Sequence, residues 1–407
     1  MNSKDQYDIA VVGGGIVGVA SAYKIQLKHP HLKIVLIEKE ARLAAHQTGH
    51  NSGVIHSGLY YKPGSAKAKN CVDGRKQLVD FAKKYKIKHE VCGKVVAAVN
   101  EAELPYLDRI FENGKANNTE GIEKINASQL REIEPYVESI GGIWVPCTGI
   151  IDFVGTTNKL AELIMAMQPK SKIILGEKVE ACEHMAEGAL VVTSKNKYTV
   201  KYIIFCGGLH SDRLAKQDYI NLKERIVGFR GDYYNLSEAA KTKVKKLIYP
   251  VPNPAFPFLG VHFTRMINGD VECGPNAVLT FKREGYGKTD FNIKDTLNAL
   301  SYSGTWNLLF KHTDFAINEY LRAFSKKRFL RTLQRLIPSL AMQDIEPARA
   351  GVRAMLLKED GTMQDDFKIV HHNRSLHVLN APSPAATACL AIGDTICDMA
   401  RTYFNLD

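Results

Sequence analysis

Three glycines near the start of the chain have the spacing of a phosphate cradle. Gly13, Gly15 and Gly18 satisfy G-x-G-x-x-G, with Gly14, Ile16 and Val17 between them. The apolar run 7–12 reads as a buried strand, 19–23 as the helix that follows, and 33–37 as a second strand ending in Glu38 and Lys39. In such a βαβ unit the first glycine permits a tight turn, the second lets the backbone approach a pyrophosphate, and the third lets helix and strand pack closely. The helix N-terminus offers unpaired N–H groups and positive dipole to the phosphates. Glu38, 20 positions beyond Gly18, can accept from both ribose hydroxyls and would repel a 2′-phosphate. The unit therefore predicts a dinucleotide with an ADP half, either NAD or FAD. FAD is favoured because no second glycine fingerprint follows. Cys206-Gly207-Gly208 closes a strand-like run but lacks the spacing.

A second dense segment is 46–61 (HQTGHNSGVIHSGLYY), polar, glycine-rich and carrying His46, His50 and His56. Taken alone, it would be a surface loop with chance histidines. Together with residues 62–65, this run resembles the L-2-hydroxyglutarate dehydrogenase/oxidase family, FAD enzymes of the D-amino-acid-oxidase-like superfamily. Segments 229–233 (FRGDY), 248–252 (IYPVP), 258–264 (FLGVHFT), 274–277 (GPNA), 281–286 (FKREGY), 350–354 (AGVRA) and 380–387 (NAPSPAAT) carry the same resemblance. It extends from Tyr7 to about Asp394, nearly the whole chain. Two departures stand beside the last arginine motif: Arg349 where a proline usually precedes Ala-Gly-Val-Arg, and Met355 where glutamine is expected. Substrate affinity is the property they could disturb.

The resemblance implies oxidation of L-2-hydroxyglutarate to 2-oxoglutarate, with hydride passing from Cα to flavin N5 and electrons then leaving to a membrane quinone or to oxygen. Such a reaction needs a group for the hydroxyl proton and cations for the carboxylates. Histidine suits the first task, because its pKa lies near neutrality. His56 and His262 are the candidates, since both sit inside family motifs. Arginine grips a carboxylate in a planar fork. Arg353 is expected at the C1 carboxylate, and Arg283, with Lys282 beside it or Arg230 in its place, at the distal one. Tyr61 and Tyr249 are pocket or core aromatics. Around the cofactor the resemblance places Thr48, Asn51, Ser52 and Gly53 at the pyrophosphate and flavin, and Val179 on the adenine-contacting strand. It also places Cys206, Gly207 and Gly351 against the cofactor. Ser383, Ala385 and Thr387 precede a last helix whose amides can support charge on the reduced flavin. Noncovalent FAD is expected.

The elements that must position these groups read as mixed α/β. A Rossmann-like FAD-binding domain is expected from 1–90, 146–225 and 345–407, and a discontinuous antiparallel-sheet substrate domain from 91–145 and 226–344, in a D-amino-acid-oxidase-like arrangement. Helical spacing marks 66–86, 101–116, 127–135, 156–167 and 290–340; strands are expected near 172–175, 189–192 and 202–205. Stretch 321–337 carries six basic residues and no acidic one, with apolar residues at helical spacing, and reads as a basic amphipathic helix suited to an anionic membrane surface.

Composition narrows the classes further. The chain has 407 residues, 45% hydrophobic and 24% charged, the balance of a folded globular protein. Its 54 Lys+Arg exceed 43 Asp+Glu, a formal charge of +11. No zinc knuckle, recognition helix or aromatic RNA-binding pattern accompanies that charge, so no nucleic-acid partner is expected. Eight scattered cysteines form no CxxC pair, so neither a metal site nor a dithiol centre is expected. No apolar run approaches the ~18 residues of a membrane span. The expected location is cytoplasmic, or peripheral on the inner face of a membrane. The rival readings are an oxidase of another 2-hydroxy acid or of an amino acid on the same fold, and a flavin-binding protein without turnover.

Overall fold

The strand Gln6–Val12 buries five of its residues, Tyr7, Ile9, Ala10, Val11 and Val12, and so takes a central place in a sheet covered on both faces. In this computed structural model, which describes residues 6–252 and 260–406, it pairs parallel with Ile34–Glu38 on one side and Lys197–Phe205 on the other. Lys172–Leu175 continues the first side, and Ser375–Asn380 pairs parallel with the end of Lys197–Phe205. The antiparallel strands Gly188–Thr193 and Val179–Met185 extend this sheet, and Lys368–His372 pairs with Ser375–Asn380. Helices Ile16–Lys28, Phe153–Met167 and Cys389–Phe404 cover one face through a core that includes Ile25, Leu160, Ile164 and Ile396.

A second, nine-stranded sheet supplies the other wall. Its long strand Arg225–Leu236 runs antiparallel to Ile345–Leu357, with Arg225 opposite Leu357 and Leu236 opposite Ile345. Residues 345–407 are expected in the cofactor domain; within them, 345–357 pair along their length with Arg225–Leu236 in this second sheet. Lys94–Ala98, Leu247–Pro250, His262–Arg265 and Val271–Gly274 follow in the same sheet. Phe258 and Leu259 of the 258–264 motif lie outside the described residues.

The expected helices appear at Ala66–Lys84, Leu104–Ala116, Ala127–Ile133 and Phe153–Met167. Stretch 321–337 does not form the single helix expected. Thr313–Phe324 ends before Ser325, whose Oγ accepts from Arg328 N at 3.3 Å and starts Lys326–Leu333 afresh. Phe329, Leu330, Leu333, Leu336 and Ile337 then pack into a core with Tyr234, Leu236 and Phe263, so this apolar face belongs to the interior. No helix among the described residues is long and apolar enough to cross a membrane. All eight cysteines are free, and seven of them are buried.

Candidate active site

Between the two sheets lies a cavity of about 910 Å³, at the upper end of what small-molecule sites enclose. One end is built by the glycine loop. Gly13 has φ +115°, a conformation only glycine adopts easily, and a Cβ there would lie 2.3 Å from the Cys206 carbonyl. Gly15 is different: a Cβ would meet only Thr48 Oγ1, at 3.5 Å, so its backbone opens toward the cavity. Thr48 Oγ1 accepts from Ile16 N at 3.0 Å, and no acidic residue occupies the first turn of helix Ile16–Lys28. The positive helix end thus faces the cavity without an anion of its own. Glu38 is held by Gly14 N at 2.6 Å on one oxygen and by Glu40 N at 2.9 Å on the other.

Of the residues expected at the cofactor, Gly13, Gly15, Ile16, Val17, Gly18, Glu38, Lys39, Thr48, Asn51, Ser52, Val179, Cys206, Gly207, Gly351, Ser383, Ala385 and Thr387 line this cavity. Gly53 does not line it; it makes the turn behind, at φ +67°. Lys39 Nζ sits 2.5 Å from Glu40 Oε1, 2.9 Å from His46 Nε2 and 2.8 Å from Glu284 Oε2. Glu40, His46 and Glu284 have the spacing of metal ligands, but this ammonium group already stands among them as the cation. Burial works to raise the Glu284 carboxyl; His210 and Lys39 overcome it and hold that group at about 2.

His56, His262, Arg353, Tyr60, Tyr61, Tyr233 and Tyr249 also line the cavity. His56 leaves the short strand Val54–Ile55. Its N–H donates to Thr387 Oγ1 at 3.0 Å and its carbonyl accepts from Cys71 Sγ at 3.5 Å, which fixes the loop at both sides of the residue. His262 starts the strand His262–Arg265 and stacks on Tyr249, ring centroids 4.0 Å apart. Its Nδ1 is 2.9 Å from the Gly260 carbonyl. A carbonyl only accepts, so the network assigns the ring proton to Nδ1 and leaves a lone pair on Nε2. Burial pushes His56 down to about 3, with Lys94 adding to it. Burial likewise takes His262 down to about 4, with Arg353 and Lys94 opposing the Gly260 hydrogen bond. Both rings are neutral around pH 7.

Arg353 reaches the cavity from the strand Ile345–Leu357, opposite Phe229. Arg283 does not. It is buried away from the cavity, where it forms a two-pronged pair with Asp212 and donates to Leu209 O at 2.7 Å and Asn298 Oδ1 at 2.8 Å. Arg230 is likewise engaged, with Asp232 at 2.9 Å and Gly287 O at 2.6 Å. Of the two departures, Met355 lines the cavity, whereas Arg349 straps its strand to the loop, donating to Glu272 at 2.7 Å, Gly49 O at 2.8 Å and Asn51 O at 2.7 Å. Sequence reasoning missed Lys94 and Tyr60. The signal was a lone lysine opening an otherwise apolar strand, Lys94–Ala98.

Comparison with known proteins gives the arrangement a family. The profile of the FAD dependent oxidoreductase family matches residues 8–399. The L-2-hydroxyglutarate dehydrogenase of Indibacter alkaliphilus is 44% identical over 98% of this chain and 100% of that protein. The mitochondrial L-2-hydroxyglutarate dehydrogenase of Nematostella vectensis is 42% identical, covering 100% of this chain and 93% of its own. The L-2-hydroxyglutarate dehydrogenase of Escherichia coli K12 is 41% identical over 97% and 93%. Among solved structures, the FAD-bound L-α-glycerophosphate oxidase of Mycoplasma pneumoniae superposes with a TM-score of 0.78 at 24% identity, covering 96% of this chain and 94% of that one. The glycine oxidase of Geobacillus kaustophilus gives 0.72 at 13% identity, over 98% and 95%. These likenesses establish the fold. The open Gly15 backbone, the helix end without an anion and the pinned Glu38 fit the ADP half of such a cofactor.

Proposed function

The chain belongs to the FAD-dependent oxidoreductases and, within them, to the L-2-hydroxyglutarate dehydrogenase family, and we propose that it oxidises L-2-hydroxyglutarate to 2-oxoglutarate with Arg353 and His262 acting on the substrate. The observation that carries this reading is one continuous cavity joining the glycine loop to an arginine and two neutral histidines. Bound FAD supplies the acceptor for the hydride that leaves Cα.

The protein's own residues have three tasks. Arg353 binds the C1 carboxylate and thereby orients the Cα–H bond. His262 accepts the hydroxyl proton at Nε2, the nitrogen its Gly260 contact leaves unprotonated. His56, held by Thr387 and Cys71, lines the cavity near the reacting carbon and helps keep water from it. Because both rings are neutral before substrate arrives, neither must first shed a proton.

Electrons leave to a membrane quinone or to oxygen. Exposed apolar side chains on helices Ile293–Leu300, Ser303–Lys311 and Thr313–Phe324 suit a peripheral contact with an anionic bilayer. Anaerobic addition of L-2-hydroxyglutarate to the purified holoprotein should bleach the flavin absorbance, while the D isomer and amino acids should not. Absence of bleaching by the L isomer refutes the reading. Hydrogen peroxide formed in air, against reduction of a soluble quinone analogue, distinguishes the two acceptors.

A further inference from the structure

A dicarboxylate brings two negative charges, and Arg353 meets only one of them. With Arg283 and Arg230 engaged elsewhere, the second cation has to come from another residue. At the cavity wall Lys39, Lys67 and Arg213 are each ion-paired, with Glu284, Asp365 and Asp295, and Lys62 and Lys178 are exposed. Lys94 differs from all of these. It is 1% exposed, and no carboxylate among the described residues pairs with it.

Its ammonium group lies between two aromatic rings, with Nζ 4.5 Å from the centroid of Tyr60 and 4.8 Å from that of Tyr249. Those two rings line the cavity, and Lys94 stands behind them. The titratable groups around it are His56 from the loop, His262 from the neighbouring strand, Cys71 and Cys147. None of them is an anion near neutrality: the histidines are neutral, and burial pushes the Cys71 thiol up to about 12. Burial brings Lys94 down to about 8, so it remains mostly charged at pH 7. An uncompensated buried ammonium group is costly, and a carboxylate docking on the cavity side of the two rings lowers that cost. The Tyr60 hydroxyl supplies an independent sign, because it is buried and has no hydrogen-bond partner among the described residues.

We propose that Tyr60, Tyr249 and Lys94 form the subsite for the substrate's distal carboxylate, with the Tyr60 hydroxyl donating a hydrogen bond and Lys94 supplying the charge. This rests on the oxidation of a dicarboxylic hydroxy acid proposed above. Substrates lacking the second carboxylate leave the hydroxyl and the ammonium group unmatched, so the subsite selects chain length and charge together.

The test uses holoenzyme carrying Lys94→Met, Lys94→Arg or Tyr60→Phe. Each is titrated with 2-oxoglutarate and with 2-oxobutanoate, following the flavin spectrum. Lys94→Met should lower the preference for the dicarboxylate roughly 100-fold, and Tyr60→Phe about 10-fold. Lys94→Arg should keep most of the preference. The native protein should lose affinity for 2-oxoglutarate as pH rises through about 8, and Lys94→Arg should remove that fall. An unchanged preference in Lys94→Met or Tyr60→Phe, or equal weakening of both ligands, overturns the subsite. Should Lys94→Met fail to hold flavin, Tyr60→Phe and the pH dependence of Lys94→Arg decide alone. A native protein that binds neither ligand and is not bleached by L-2-hydroxyglutarate refutes the function itself, before any variant is compared.

Discussion

In the proposed reaction, Arg353 and the two histidines make separable demands on activity. Replacing Arg353 by Met leaves a carboxylate in the cavity without its fork, and kcat/KM should fall about 100-fold or more. Arg353→Lys should recover only part, because an ammonium group cannot reproduce two parallel hydrogen bonds. The histidines predict a pH profile. A base held at about 4 by burial stays unprotonated above that value, so kcat/KM should show no acid limb between pH 8 and about 5. An inflection near 6.5 would mean that the proton acceptor is a solvated histidine elsewhere. His262→Ala should cost more in kcat than His56→Ala, since only His262 has its tautomer fixed by a carbonyl. At this scale the sequence singles out three residues that line the cavity, Arg353, His56 and His262, because each sits inside a motif. It does not separate a cavity arginine from an engaged one: Arg283, expected at the distal carboxylate, and Arg353, expected at C1, look alike in a string of letters. Only the fold shows that Asp212, 71 positions away, already occupies Arg283. Lys94 was hidden for the converse reason, because whether a lysine has a partner depends on contacts made by strands far along the chain.

The elements meet at a latch beside the cavity. Lys39 directly follows the strand Ile34–Glu38 and pairs with Glu284, far along the chain. Because Glu284 is depressed from an ordinary 4.5 to about 2, its stabilisation is fully present above 4.5 and is lost as pH falls toward 2. Glu284→Gln should therefore destabilise the protein at pH 7 by about 2 kcal/mol, between the worth of an exposed pair and that of a buried one. It should also flatten the decline in thermal stability between pH 5 and 3, and scanning calorimetry across that range measures both. An unaltered slope would place the acid sensitivity in other carboxylates. Element type was legible in the sequence, from the first βαβ unit to the helix at Phe153–Met167. Membership of Ile345–Leu357 in the second sheet was not, since pairing with Arg225–Leu236 joins segments more than a hundred residues apart. The break at Ser325 was equally concealed: a serine inside a periodic run reads as surface until its cap is seen.

For the whole molecule, exposed apolar side chains and part of the +11 charge fall in one stretch of chain, 288–331. Burial of Phe329, Leu330, Leu333, Leu336 and Ile337 takes the apolar side of 329–337 out of any membrane contact. The preceding helices compensate. Ile293, Leu297, Phe310, Ile317 and Phe324 are 57%, 60%, 71%, 53% and 66% exposed, and Trp306 stacks beside Phe310 at 5.8 Å. Exposed Lys288, Lys294, Lys311, Lys327, Arg328 and Arg331 lie in the same stretch of chain. Large apolar side chains gathered on exposed helices are uncommon unless something covers them, and each basic residue near an anionic bilayer adds about 1 kcal/mol. A membrane quinone as acceptor would require that approach, whereas oxygen would not. The holoprotein should float with vesicles containing anionic lipid at low salt, and much less with neutral vesicles or at high salt. The double variant Phe310→Ser, Phe324→Ser should lose flotation while keeping substrate-driven bleaching of the flavin, because neither side chain lines the cavity. Native protein that stays with the unbound fraction at low salt removes the membrane reading and leaves oxygen as the acceptor to be measured.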